Sequence, residues 1–117
     1  MANTFKVITR DVAPASAGTP ETLYTVQSGS TLVILGLNLT NVHTSQVTAS
    51  VTLVSTTTQT GQTQNTTAYL VKDVPIPAGA SLGVLDGKII ANVGDIIKID
   101  CSVADKISTI MSYMEQT

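Results

Sequence analysis

The chain predicts an all-β fold, a single antiparallel β-sandwich of about eight strands. Three observations carry that reading. Apolar and polar residues alternate with period two in one segment after another. Turn signals rich in glycine, proline, aspartate and serine recur about every ten residues. No stretch keeps helical spacing over three turns.

The elements follow in order. "TFKVITR" (4–10) alternates, with Phe5 and Val7 on one side and Lys6 and Arg10 on the other. "DVAPASAGTP" (11–20) is a small-residue loop holding Pro14 and Pro20, and "ETLYTVQ" (21–27) is β-branched and aromatic. After the turn "SGS" (28–30) comes a long strand, "TLVILGLNLTNV" (31–42). Val33, Leu35, Leu37 and Leu39 are expected to share one face of it, and Gly36 marks a bulge or a close backbone approach. "HTS" (43–45) reads as a hairpin tip. "QVTASVTLV" (46–54) points Val47, Ala49, Val51 and Leu53 inward and Thr48, Ser50 and Thr52 outward.

"STTTQTGQTQNTT" (55–67) is a polar, low-complexity loop expected to be exposed. Strand character resumes at "AYLVKDVPI" (68–76), and "PAG" (77–79) turns the chain. "ASLGVL" (80–85) and "KIIAN" (88–92) flank Asp86-Gly87, a two-residue hairpin signal. "VGD" (93–95) precedes "IIKIDCSV" (96–103), where Ile97, Ile99, Cys101 and Val103 share a face. "ADK" (104–106) and "ISTIMSYME" (107–115) complete the series. "QSGSTLVIL" and "PAGASLGVL" are alike, and they read as one local turn solution used twice rather than a duplication. Residues 1–20 are expected to be an N-terminal strand or arm with its loop, and residues 21–117 the sandwich.

The 117 residues make one domain. Apolar residues are 43 % of the chain, enough for a core. Charged residues are 12 %, about half the usual share, and threonine, serine, asparagine and glutamine replace them. Lys6, Arg10, Lys72, Lys88, Lys98 and Lys106 are scattered among acidic residues, so no patch for nucleic acid or a membrane surface forms. "MANTFKVITRD" lacks the apolar core of a signal peptide, and no run is long enough to span a membrane.

Chemistry finds little support. His43 is the single histidine and Cys101 the single cysteine. A zinc site needs three or four spaced ligands, and the histidine motif of metal-binding cupins is missing. His43 reads as a solvent-exposed turn residue and Cys101 as a buried strand residue. Asp86, Asp95 and Asp105 fall in turns, where carboxylates bond nearby backbone amides. A calcium site between facing turns is the alternative for them. "GQTQNTT" lacks the lysine of a phosphate loop, and no tryptophan offers a sugar platform. No catalytic, cofactor-binding or metal-binding residue is assigned. A small cupin-like or sugar-active enzyme is the least supported reading.

Two segments carry a resemblance. "LYTVQSGSTLVILGLNLTNVHTSQVTASVTLV" (23–54) and "VPIPAGASLGVLDGKIIANVGDIIKIDCSV" (74–103), with the terminal "ISTIMSYMEQ" (107–116), cover about two thirds of the chain. They resemble small β-sandwich virion structural proteins of tailed bacteriophages. There, a "YTVPAG" turn precedes an apolar strand, an asparagine-containing turn and an alternating Val/Thr strand. Here "VQSG" stands for "VPAG", and loop 55–67 lies outside the pattern.

The resemblance implies a jelly-roll-like sandwich, with an immunoglobulin-like one as alternative. It implies an accessory virion protein, assembled in the host cytoplasm. The narrower expectation is a capsid decoration (cement) protein that bridges neighbouring capsomers. Its partners would be further copies of itself, as a trimer, and the major capsid protein, with segment 2–20 and loop 55–67 as contacts. A tail, neck or fibre component, including a host-receptor-binding module, is the alternative. The family contributes no catalytic residues and no cofactor.

Overall fold

The computed structural model describes residues 2–55, 61–62 and 64–117. Nine strands form two antiparallel sheets packed on each other. They are β1 (Asn3–Ala13), β2 (Glu21–Thr25), β3 (Thr31–Asn41), β4 (Val47–Val54), β5 (Thr67–Ile76), β6 (Ser81–Gly83), β7 (Ile89–Ala91), β8 (Ile96–Cys101) and β9 (Ile107–Gln116). One sheet, called A, runs β1-β9-β3-β6 with β7 also on β3. The other, B, runs β2-β8-β4-β5. Residues 3–13 are thus a full edge strand of the sandwich, paired along β9.

The chain changes sheet at nearly every connection. β4 and β5 are consecutive and paired, forming a hairpin. The segment 43–45 expected as a hairpin tip instead joins β3 of sheet A to β4 of sheet B. The Asp86-Gly87 hairpin is also corrected. β6 and β7 are each antiparallel to β3, at Asn38–Thr40 and Leu32–Ile34. They therefore run the same way and cannot pair as a hairpin. They are two pieces of one interrupted edge strand, and residues 84–88 loop out between them.

Four corners use one turn. Thr19, Ser30, Ala80 and Asp95 each donate a backbone N–H to the carbonyl three residues earlier, at 3.0–3.2 Å. The residue before each donor is Gly18, Gly29, Gly79 or Gly94, all with φ between +73° and +85°. That is a type II pattern, whose third position calls for a residue without a Cβ penalty. The likeness of "QSGS" and "PAGA" is therefore local turn chemistry, shared also by "SAGT" and "NVGD".

The core lies between the sheets, around Leu32, Ile34, Leu39, Ile97, Ile99, Ile107 and Met111. Cys101 belongs to it, as do Val47, Ala49 and Val51. The predicted face of β3 is corrected. Its register on β9 slips between Ile34 and Gly36, leaving Leu35 as the extra residue of a bulge. Leu32 and Ile34 point inward before it and Leu37 and Leu39 after it, while Leu35 is exposed. Glycine at 36 marks the bulge, but period two cannot run through an inserted residue.

Asn41 ties two corners together while fully buried. Its Nδ2 donates to the Ser45 and Ile76 carbonyls at 3.0 and 2.9 Å, and its Oδ1 accepts from the His43 N–H at 2.7 Å. Its own N–H donates to the Ala80 carbonyl, and its carbonyl accepts from Gly79. Thr109 contrasts with it: its buried hydroxyl has no hydrogen-bond partner among the described residues.

Asn41→Ala leaves the buried Ile76 carbonyl unpaired and removes two part-buried bonds, to Ser45 and His43, and it is expected to cost about 3 kcal/mol in denaturant unfolding with little change in slope. Thr109→Val removes an unsatisfied hydroxyl at nearly constant shape. It is expected to raise stability by about 1 kcal/mol in the same assay, and a loss of stability would show that the hydroxyl is satisfied.

Candidate functional site

The titratable groups do not converge. Among the described residues no group of three or more His, Cys, Asp and Glu could hold a metal ion. His43 is half-buried in the β3–β4 corner, rather than exposed on a hairpin tip. Asp95 is buried, and its Oδ2 accepts the Asn92 N–H at 2.9 Å, the turn role expected of it. Asp105 adopts φ 56°, and its N–H donates to the Pro14 carbonyl. Asp86 lies in the excursion between β6 and β7.

Two ion pairs close one end of the sandwich, where the edge strands β1 and β2 face each other. Arg10 pairs with Glu21, whose other oxygen accepts the Ala15 N–H at 2.9 Å. Lys6 Nζ lies 2.9 Å from Glu115 Oε1, and the Tyr24 hydroxyl donates to Glu115 Oε2 at 3.2 Å. Tyr24 stacks on Tyr113 at a centroid distance of 5.5 Å. The hydrogen bond from Lys6 holds the Glu115 carboxyl below its ordinary pKa, and the same bond raises that of Lys6. Burial, with the bond to Glu115, pushes Tyr24 up to about 12. These groups neutralise one another, which suits a structural rim.

Shallow hollows occur among the described residues. One, of about 390 Å³, lies where Gln62, Gln64, Asn65 and Thr66 of the β4–β5 connection meet Leu53 and Ile90. The sequence-predicted contact loop 55–67 falls partly outside the described residues; residues 55, 61–62 and 64–67 are described, these four among them. Another, of about 370 Å³, lies on sheet A between Phe5, Lys6, Val7, Leu35, Ser112 and Tyr113.

The outer faces of the two sheets differ in kind. Antiparallel sheets normally present a polar face to water. Sheet B carries polar side chains there: Thr48, Ser50 and Thr52 lie on the side away from the core beside Lys98 and Asp100, with Ser50 and Thr52 themselves covered. Sheet A does not. Phe5 pairs with Met114, Met114 with Val33, and Val33 with Ile90, an apolar row crossing four strands. Val7, Leu35 and Ile110 extend it. Phe5 is 74 % exposed, Ile90 62 % and Val7 61 %. The other outward positions paired across β1, β9 and β3 are Asn3, Thr9, Ser112, Gln116, Thr31, Gly36 and Asn38, none of them charged, and the charge nearest the block is Lys6, which borders the hollow and is paired with Glu115.

This surface was not legible as a site. The alternation of β1 was, but its polar side faces the core rim and its apolar side faces out. The available signal was apolar residues on both parities in "TLVILGL" and "GKIIA", the pattern of strands covered on both faces.

No protein family, curated protein or solved structure was found to match this chain. Among the described residues no helix is long and apolar enough to cross a membrane.

The rim has a pH signature. A depressed Glu115 pKa stabilises the fold above the ordinary 4.5, and that contribution is lost as pH falls below it. Lys6→Met is therefore expected to flatten the fall of unfolding midpoint between about pH 5 and 3. Tyr24 stabilises below its ordinary 10.0, with loss as pH rises toward about 12. Ultraviolet titration of Tyr24→Phe should lack a phenolate step near 12 that the unsubstituted protein shows. A wild-type titration complete by about pH 11 contradicts the burial of Tyr24.

Proposed function

We propose that this chain is a non-catalytic assembly protein of the virion, most narrowly a capsid decoration protein that bridges neighbouring capsomers. The observation that carries the assembly role is the uncharged apolar outer face of sheet A. Single exposed apolar residues are ordinary, but a contiguous patch marks a contact surface. A weakly charged surface suits permanent contacts, because few ions lose water on association. The virion assignment rests on the resemblance of residues 23–54 and 74–116 to small structural proteins of tailed phages.

On this reading the protein acts mechanically. It binds outside the shell as a homo-oligomer and adds contacts between capsomers. The polar β4–β5 connection, at the end of the sandwich, is the element that meets the shell, together with the N-terminal segment. No bound metal or cofactor enters the mechanism. Tail, neck or fibre placement is the other reading, in which the same connection meets a host surface.

Co-sedimentation with undecorated shells of the phage that encodes the chain tests this. The protein is expected to pellet with shells at a fixed ratio. Replacing residues 56–65 by a two-residue Asn-Gly turn is expected to abolish pelleting while leaving the fold intact, since Ser55 and Thr66 already face each other across the hairpin. Protein that stays in the supernatant but binds tails or host cells moves the assignment to the tail.

A further inference from the structure

We infer that the outer face of sheet A is a self-association surface, occupied by the same face of a second copy around a two-fold axis. This does not depend on the virion reading and adds to it the identity of one contact.

The face is large enough. Three long strands and the interrupted β6–β7 edge, about 4.8 Å apart, with some seven residues of each long strand at about 3.3 Å per residue, give a face of roughly 20 by 25 Å. Paired with itself it removes on the order of 1,000 Å² from water, the lower bound for a specific interface. Two sheets pack face to face about 10 Å apart with their strands some 30° off parallel. An identical twisted sheet supplies that geometry.

The chemistry favours a like partner. A charged face brought onto itself would meet like charge, and the outer face of sheet B, with Lys98 and Asp100, would desolvate both. The apolar row of sheet A has none to desolvate, and Lys6 at the edge of its hollow is already paired with Glu115. The row Phe5, Met114, Val33 and Ile90 forms a ridge. Beside it Ser112 and Gly36, opposite each other in the register, leave the hollow bordered by Leu35 and Val7. A two-fold axis sets ridge against hollow on both copies at once. Such a contact is isologous and closes at two copies, so it predicts a dimer in place of the trimer expected from the resemblance.

Light scattering of the full chain over a hundredfold concentration range tests this without shells. The mass is expected to approach twice 12.2 kDa. Phe5→Lys and Ile90→Lys, at opposite ends of the row, are each expected to return it to a monomer. Tyr69→Lys, exposed on sheet B, is expected to leave the dimer unchanged. Circular dichroism and the thermal midpoint check that each variant is folded. A monomer at every concentration overturns the inference, as does a trimer. Disruption by Phe5→Lys alone also overturns it, because it points to edge-to-edge pairing through β1. So does a monomer whose Ile90→Lys variant fails to pellet with shells, since the face then belongs to a shell protein. Failure to pellet by a wild-type dimer counts against the decoration role and leaves the dimer standing.

Discussion

Asn41 is the constraint on which the sandwich depends. One buried side chain holds the corner leading from β3 to β4, and its backbone holds the corner leading from β5 to β6. Both corners carry the chain from one sheet to the other, so they set the offset between the sheets. An amide suits this place because it donates twice and accepts at one site without charge. Aspartate would keep the acceptor and lose both donors, and an apolar residue would leave the buried Ile76 carbonyl unpaired.

Around that tether the corners are built alike. The repeated type II turn brings the chain back within four residues and launches the next strand in the other sheet. This is why so short a chain is interrupted so often by glycine and proline. Frequent sheet changes interleave distant segments: β1 lies on β9, and β2 on β8. The two rim ion pairs, Arg10 with Glu21 and Lys6 with Glu115, then close the open end where β1 and β2 meet. They also place charge on the core side of an edge strand, a known guard against strand-to-strand aggregation.

That arrangement turns β1 inside out relative to ordinary amphipathic strands. With Lys6 and Arg10 engaged at the rim, Phe5 and Val7 must face outward. They join Met114, Val33 and Ile90, which belong to strands separated widely in sequence. The absence of charge from the same face makes the patch coherent. A contact surface follows from the packing of the rim as much as from the residues of the patch.

Local chemistry alone determined the fold class, most strand positions and the corner turns. Period two picked out Ile97, Ile99 and Cys101, and Val47, Ala49 and Val51, because those strands run without interruption. The role of Asp95 was also readable, since a turn carboxylate reaches a backbone N–H within a few residues. Tertiary structure decided what depends on distant partners. Only pairing with β3 shows that β6 and β7 are one broken strand, despite the Asp-Gly between them. Only the register on β9 shows that Leu35 reverses the phase of β3. Alternation separates the two sides of β1 but does not say which faces the core. That choice is made by β9, Glu21 and Glu115, and it is what exposes the apolar face of sheet A.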